Sequence, residues 1–305
     1  MHLLHTRREV LAGIMPAWSG AGFVSLANAK YAPCLVSNVY IWTQEFRRLE
    51  KKPSESWEGA FAAIRSAGYR WVELAADWFP PEERQKTTQQ LRKYNLELGD
   101  LYVGGNFYED PAAEQVVKKV LEAAAWAYGI GCRTMLVDLN AKPGRARKTG
   151  EELAAEARNV NRLGSEIKAR GMVLALHNHD DPMREDAREW RYVVRHTDPD
   201  LLSICLDMDW TWQAGTDPMP LLHEAGKRLR LVHLRTQRQK LWTEALEDGG
   251  DIDYRKVASH LKSIQFDGSL VIELAHKPET KVTRSVEENI RLSRLWAERV
   301  FGLST

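Results

Sequence analysis

The stretch Val173-Leu174-Ala175-Leu176-His177-Asn178-His179 places two imidazoles directly after a short apolar run. Three later stretches also end an apolar run with a polar side chain: Ile204-Cys205-Leu206-Asp207, Leu231-Val232-His233 and Leu270-Val271-Ile272-Glu273. Apolar runs of this length are typical of buried strands in a parallel sheet. The polar residue that ends each run contributes little to packing, and we therefore expect the four to face one common cleft.

Strand-like and helix-like segments alternate from Lys30 to the C-terminus. The pattern predicts strands over 33–42, 71–75, 97–103, 134–139, 172–176, 202–206, 229–233 and 269–274. It predicts helices over 54–66, 81–94, 112–128, 150–170, 186–195, 218–227, 254–263 and 283–301. Eight such units predict an α/β protein with a single (β/α)8 TIM barrel. An open doubly wound sheet is the main alternative, but Gly104-Gly105 lacks the GxGxxG spacing that would favour it.

The first 29 residues have the order of charge, apolar run and small residues that export signals share. Thr6-Arg7-Arg8-Glu9-Val10-Leu11 resembles the twin-arginine export motif, and Ala27-Asn28-Ala29 fits a small-x-small cleavage site. An amphipathic N-terminal helix with a chance arginine pair is the alternative. We predict a twin-arginine signal peptide over residues 1–29, a barrel domain over residues 30–305, and a periplasmic protein with no membrane association after cleavage.

The composition indicates which kinds of binding partner suit this protein. The 43 basic and 42 acidic side chains give a net charge of +1, which argues against nucleic acid or an anionic membrane as a partner. Cys34, Cys132 and Cys205 lack paired spacing, and we interpret them as buried apolar residues. Several of the eleven tryptophans fall at or just after predicted strands. Aromatic walls suit a sugar-like ligand, although core packing accounts for most of these rings.

The carboxyl ends of the strands carry the functional side chains in a (β/α)8 barrel. His177, Asp207, His233 and Glu273 occupy these positions on the fifth to eighth predicted strands. One such histidine alone would indicate a structural role, but four residues together indicate metal binding. Two imidazoles and two carboxylates suit Mn²⁺, Co²⁺, Fe²⁺ or Zn²⁺ better than Ca²⁺ or Mg²⁺. We predict one divalent ion, with Mn²⁺ as the first choice.

The predicted substrate-binding residues lie close to this set in the sequence or on a neighbouring strand end: His179, Glu73, Arg235, Asp209 and Trp210. His179 follows the first ligand by two positions and therefore faces the same side of its strand. It either binds a substrate hydroxyl or makes a hydrogen bond that orients a ligand. Glu73 should face the barrel mouth, where it binds substrate or pairs with a basic residue such as Arg235.

A family resemblance appears in the order of these motifs. Leu-His-Asn-His at 176–179, Leu-Asp-x-x-Trp at 206–210, Val-His-Leu-Arg at 232–235 and Asp-Gly-x-Leu-Val-Ile-Glu at 267–273 resemble the sugar isomerase/epimerase superfamily with a xylose isomerase-like barrel. Segments 196–201 and 215–218 are similar to inosose dehydratase-like members. The resemblance implies a divalent ion held by the last four barrel strands and a small hydroxy-ketone sugar or polyol as substrate. Related barrels often pair, which leaves a homo-oligomer open.

The resemblance also implies roles for individual residues. The second, third and fourth ligands fall on Asp207, His233 and Glu273. The first falls on His177, where epimerase members usually have a glutamate and inosose dehydratase-like members have a histidine. In the epimerases two metal-bound glutamates move the proton. Here Glu273 remains, and His177 is the other catalytic candidate, since an imidazole can act as acid or base near neutral pH.

These observations predict a metal-dependent isomerase or epimerase that acts on a keto-sugar or related polyol through an enediolate. A dehydratase or lyase acting on a keto-sugar or keto-inositol is the alternative within the same scaffold. A non-catalytic sugar-binding barrel is the alternative from another class. The near-zero net charge argues against a metal endonuclease. The absence of a dense basic cluster after the last two predicted strands favours an unphosphorylated substrate.

Overall fold

The computed structural model describes residues 30–303, so the predicted signal peptide lies outside the described residues. The strands, in chain order, are β1 (Cys34–Asn38), β2 (Trp71–Ala75), β3 (Glu97–Tyr102), β4 (Thr134–Val137), β5 (Val173–Leu176), β6 (Ser203–Asp207), β7 (Leu229–Leu234), β8 (Gln237–Arg238), β9 (Leu241–Trp242) and β10 (Ser269–Ile272). The helices are α1 (Tyr40–Arg48), α2 (Pro53–Ser66), α3 (Arg84–Lys93), α4 (Asp110–Gly129), α5 (Gly150–Ala169), α6 (Arg184–Arg195), α7 (Met208–Gln213), α8 (Pro218–Ala225), α9 (Tyr254–Ser263) and α10 (Val286–Phe301).

Eight of these strands close a barrel in the order β1-β10-β7-β6-β5-β4-β3-β2. Every neighbouring pair is parallel, and β1 pairs with both β2 and β10 to complete the ring. The strands β8 and β9 form a separate antiparallel hairpin in the loop after β7. The prediction of a single (β/α)8 barrel is confirmed.

The core has two layers. The barrel interior is filled by one apolar residue from each of six strands: Val36, Leu136, Ala175, Cys205, Leu231 and Val271. A larger cluster packs the outward faces of the strands against the surrounding helices. Cys132 and Cys205 are buried, as predicted, whereas Cys34 is only partly buried, and all three thiols are free.

The predicted first strand is wrong beyond Asn38. The chain turns there into α1, because the Asn38 side chain accepts a hydrogen bond from the backbone N–H of Tyr40 at 2.6 Å. Ile41, Trp42 and Phe46 then bury one face of α1 at helical spacing. A short run of apolar and aromatic residues fits a buried strand as well as a buried helix face. For this reason the predicted first strand was extended into residues that belong to α1.

The structure has two further features that were not predicted. The helix α7 begins directly after β6, and the hairpin β8–β9 lies between the predicted seventh strand and seventh helix, where no element was predicted. Other elements end within a few residues of their predicted bounds, and α5 begins with the reciprocal capping bonds of Thr149 and Glu152. Over residues 30–303, no helix is long and apolar enough to cross a membrane.

Candidate metal centre and substrate cavity

The register of the strands places polar side chains inside the barrel. Interior residues of β5, β6, β7 and β10 each precede a polar residue by two positions. Because side chains alternate along a strand, residues two apart face the same side. The polar residues reached in this way, at the carboxyl end of the barrel, are His177, Asp207, His233 and Glu273. The prediction that they meet is confirmed.

These four side chains form one compact group. Each offers one donor atom, and the four atoms lie within 4.8 Å of one another. His177, Asp207 and His233 are at most 3% exposed. The closest contacts are 2.8 Å between His233 Nδ1 and Glu273 Oε2, 3.6 Å between His177 Nε2 and Asp207 Oδ2, and 3.9 Å between His233 Nδ1 and Asp207 Oδ2.

Asn178 fixes the distance between β5 and β6 at this point. Its side chain accepts a hydrogen bond from the backbone N–H of Asp207 at 2.9 Å and donates one to the Asp207 carbonyl at 3.1 Å. Asp207 Oδ1 in turn caps α7 by accepting from the backbone N–H of Trp210 at 2.8 Å. One carboxylate oxygen of Asp207 is thus structural, and Oδ2 faces the group.

Glu73 holds the third histidine. His233 Nε2 lies 3.0 Å from Glu73 Oε2, and Asn38 donates to the other oxygen of Glu73. A carboxylate on the far nitrogen orients a ligating imidazole, and it leaves Nδ1 toward the group. Glu73 contacts His233 rather than Arg235, the partner suggested by sequence. Beside it, Asp100 is fully buried, and burial together with the charge of Glu73 raises the pKa of Asp100 well above its ordinary value.

Arg235 is a buried cation between two carboxylates. Its guanidinium lies 3.2 Å from Asp209 Oδ2 and 3.0 Å from Glu273 Oε1, and its Nε donates to the Glu273 carbonyl at 2.7 Å. The Trp242 ring lies 4.5 Å from the guanidinium, and its N–H donates to Asp209 at 2.8 Å. Asp209 is fully buried behind Arg235, so it holds Arg235 rather than forming the cavity wall.

Electrostatics set the charge states of two predicted catalytic residues. Burial raises the pKa of Glu273, but the positive charge of Arg235 and the hydrogen bond and charge of His233 outweigh it and hold the pKa well below the ordinary value. Glu273 is therefore ionised. Burial lowers the pKa of His177, so its imidazole is neutral near pH 7 and offers a lone pair.

The predicted substrate residue His179 is bound to a residue that the sequence analysis did not select. Its Nδ1 lies 2.8 Å from Oδ2 of Asp138, which follows β4 and is 4% exposed. Burial lowers the pKa of His179, but the hydrogen bond and charge of Asp138 outweigh it and raise the pKa overall. The pattern Met135-Leu136-Val137-Asp138, an apolar run with a carboxylate at its end, is the signal that could have found Asp138.

A cavity of about 190 Å³ opens onto the group. His179, Glu73, Arg235 and Trp210 line it, together with the ligands His177, His233 and Glu273. Its other walls include Asn38 and the aromatic rings of Tyr40, Trp78 and Tyr102. The centroids of the Tyr40 and Trp78 rings are 6.0 Å apart in a stacked arrangement. The cavity thus combines ring faces with hydrogen-bonding edges.

The donor set fits a divalent ion. Over the described residues, both ring nitrogens of His177 and Oδ2 of Asp207 are buried without a hydrogen-bond partner. Such atoms are costly to bury unless something else satisfies them. Ligand distances of about 2.0–2.2 Å allow opposite ligands to stand about 4.4 Å apart, close to the observed span. The four predicted ligands could therefore hold the predicted ion.

Fold and site together define a (β/α)8 barrel with a group of side chains that could hold a metal ion at the carboxyl ends of its strands. A family model described as a xylose isomerase-like TIM barrel matches residues 61–296. The chain belongs to the xylose isomerase-like TIM barrel family.

Individual proteins share 15–25% sequence identity with this chain. Inosose dehydratase from Geobacillus kaustophilus is 25% identical over 228 residues, covering 65% of this chain and 73% of that protein. The D-allulose 3-epimerase structure from Methylomonas sp. has a TM-score of 0.70 at 15% identity, covering 88% of this chain and 98% of that one. A sugar phosphate isomerase/epimerase structure from Parabacteroides distasonis has a TM-score of 0.67 at 15% identity, covering 93% and 98%. The structures show the shared fold, and the family and its relatives confirm the prediction of an enzyme.

Proposed function

We propose that the protein is a divalent-metal-dependent isomerase or epimerase that removes the proton next to the carbonyl group of a free keto-sugar or related polyol. The observation that carries this proposal is the convergence of the donor atoms of His177, Asp207, His233 and Glu273 within 4.8 Å of one another, with all of these residues except Asp207 lining the cavity. A bound ion would polarise a carbonyl and a neighbouring hydroxyl and so acidify the C–H bond between them. Mn²⁺ is our first choice, with Co²⁺, Fe²⁺ and Zn²⁺ as alternatives.

The chain supplies the groups that move and hold the proton. Glu273 is ionised because the positive charge of Arg235 stabilises it, so it is available as a proton acceptor. His177 is neutral and buried, and we propose it as the second acid or base. His179, Glu73, Arg235 and the rim aromatic rings would orient the substrate.

The cavity supports a small, uncharged substrate. Its volume of about 190 Å³ lies below the roughly 300 Å³ at the lower end of pockets for drug-sized ligands. Arg235 lines the cavity, and its positive charge is already paired with the carboxylates of Asp209 and Glu273. A phosphate would have to displace one of them. An unphosphorylated monosaccharide or cyclic polyol therefore fits better than a sugar phosphate.

Dehydration of a keto-sugar or keto-inositol is the second candidate, and two observations favour it. The Geobacillus relative is named inosose dehydratase. His177 also stands where the two-glutamate proton shuttle would need a carboxylate. Both candidates begin with the same proton removal. In isomerisation or epimerisation a proton then returns to carbon, whereas in dehydration the β-hydroxyl leaves as water.

One experiment tests both candidates. The protein, loaded with Mn²⁺, is incubated in D₂O with a panel of ketohexoses and inososes, and the sugars are analysed by mass spectrometry after chelation. We expect deuterium at the carbon beside the carbonyl for one substrate class. A deuterated sugar that has lost no water and shows altered stereochemistry by NMR identifies epimerisation, and a product that has lost water identifies dehydration. Stoichiometric metal without exchange on any member would refute both and leave a sugar-binding barrel.

The cellular location and assembly complete the proposal. We propose export to the periplasm on the strength of the twin-arginine pattern in residues 1–29. Fractionation of cells that express the full chain, compared with an Arg7→Lys/Arg8→Lys variant, tests this proposal. Light scattering of the purified protein would decide between a monomer and a homo-oligomer.

A further inference from the structure

We infer that Asp138 is a positioning residue that holds His179 with its proton on Nδ1, so that the neutral ring presents Nε2 to the cavity as a hydrogen-bond acceptor for a substrate hydroxyl. Only the identity of that last partner, a sugar hydroxyl, rests on the proposed function.

The first support is the contact itself. Asp138 is 4% exposed, and its Oδ2 lies 2.8 Å from His179 Nδ1. A carboxylate accepts hydrogen bonds and cannot donate them, so the proton on this edge belongs to Nδ1. Asp138 also raises the pKa of His179, so Nε2 carries a proton as well while the ring is protonated. In the neutral ring, which forms above that pKa, Nε2 carries a lone pair.

The second support is the direction in which His179 is held. Its ring lies edge-on to Tyr102, Trp210 and His177, with centroid distances of 6.3, 5.6 and 5.0 Å. Asp138 occupies the Nδ1 edge of the imidazole. The side chain is nevertheless 40% exposed and belongs to the cavity wall, so the free edge that carries Nε2 faces the cavity.

The third support comes from Gly104, which follows β3. A Cβ atom at this position would lie 2.9 Å from Asp138 Oδ1 and 3.0 Å from the Tyr102 hydroxyl oxygen. Contacts below 3.0 Å force a neighbour to move, so glycine leaves the space that the Asp138 carboxylate occupies. This explains a glycine that the sequence analysis considered only as a weak phosphate-loop signal.

As a consequence, His179 Nε2 is a hydrogen-bonding group of fixed direction in a cavity wall that consists mainly of aromatic rings. A site built to hydrogen-bond a hydroxyl rejects an analogue that lacks it, because its own polar atom is left unpaired. Rotating the ring or moving the proton to Nε2 would remove the acceptor without changing the shape of the wall. Asp138 thus contributes to hydroxyl selectivity through His179 and not through contact with the sugar.

The test reads the tautomer of His179 directly. Protein labelled with ¹⁵N-histidine is examined by long-range ¹H–¹⁵N NMR at alkaline pH, and a His179→Gln variant assigns the signals. We expect a proton on Nδ1 in the wild type and a shift toward Nε2–H in Asp138→Asn, because the new amide can donate to Nδ1. Asp181→Asn is the matched control, since this carboxylate lies two residues after His179 but binds Arg145 instead. It should keep the wild-type signal.

A second variant covers the case in which Asp138→Asn does not fold. Gly104→Ala should displace the Asp138 carboxylate and move the same His179 signals while metal content stays at the wild-type level. On the turned-over sugar, kcat/KM should fall about 10- to 100-fold in Asp138→Asn, with bound metal unchanged. Unaltered His179 signals in the folded variants would overturn the inference. A lack of activity on every sugar would refute the proposed function alone, because the tautomer is read without turnover.

Discussion

Replacing Arg235 with methionine should destabilise the protein strongly, because it removes the cation between two buried carboxylates. Asp209 is fully buried and Glu273 is 12% exposed on its side chain, and both contact the guanidinium within 3.2 Å. Methionine fills similar volume without charge, so the variant isolates the electrostatic loss from the loss of packing. The carboxylates would then face each other without compensation.

The expected magnitude follows from the geometry. Two unit charges 4 Å apart attract by about 4 kcal/mol at an effective dielectric constant of 20, and part of this gain offsets the cost of burying the ions. Removing one member of a buried pair costs about 3–5 kcal/mol, because the remaining charge is stranded. The stacked Trp242 ring, 4.5 Å away, also loses its cation. Small proteins are stable by about 5–15 kcal/mol, so the loss is a large fraction of the total.

Urea unfolding followed by circular dichroism, with metal chelated, measures this loss. The matched control is Arg158→Met, which breaks an exposed ion pair with Asp110 and should leave the midpoint unchanged. The double variant Arg235→Met/Asp209→Asn should lose less than the sum of its single variants, by about 1–3 kcal/mol. A stability of Arg235→Met within 1 kcal/mol of the wild type, or strict additivity, would refute the reasoning about this buried pair.

Three further variants test the site and the scaffold. Glu273→Gln should abolish turnover with a modest loss of metal, because the amide can ligate but cannot take up the proton; near-normal rates, measured alongside metal content, would contradict its catalytic role. His177→Glu should keep the metal and raise epimerisation relative to the wild type, whereas complete metal loss would show that this position does not ligate. Burial raises the pKa of Glu156 to about 7 although Lys148 lies 2.7 Å away. The folded state thus binds this proton more tightly than the unfolded chain, whose glutamate pKa is about 4.3, so the stability it supplies is present below pH 4 and lost as the pH rises to 7. Between pH 4.5 and 8 the free energy of unfolding of the wild type should fall by about 3 kcal/mol relative to Glu156→Gln, and a constant difference would exclude the shift.

The four site residues could be predicted from the sequence because side chains alternate along a strand. The residue two positions after an interior residue therefore also faces the barrel axis, at the carboxyl end of the strand. Ala175 and Cys205 are small apolar residues inside the barrel, and the residues two positions later, His177 and Asp207, follow the same face. Nothing beyond strand periodicity and the parallel order of a barrel is needed to bring such residues together. The same logic applied to Leu136 leads to Asp138, which was overlooked because the fourth strand was predicted over 134–139 and ends at Val137, so that Asp138 was placed inside the strand and not at its end.

Pairings across the barrel could not be predicted. Glu73 and His233 are 160 positions apart in the chain, and their contact depends on how far each strand is staggered. The register between β2 and β3 shifts between Val72 and Glu73, an irregularity with no sequence marker. The end of β1 at Asn38 likewise depended on one side chain that bonds the next turn rather than on any change in hydrophobicity.

The amide of Asn178 does for two neighbouring strands what a peptide group does within a sheet, giving one hydrogen bond and receiving another. The distance between the first two proposed ligands, His177 and Asp207, is consequently set during folding and would not depend on a bound cation. A rigid aperture discriminates by ionic radius, since an ion that is too large or too small cannot recruit the backbone to adapt. For the metal ion that we propose, cation preference would thus be governed partly by an asparagine that is not one of the four proposed ligands.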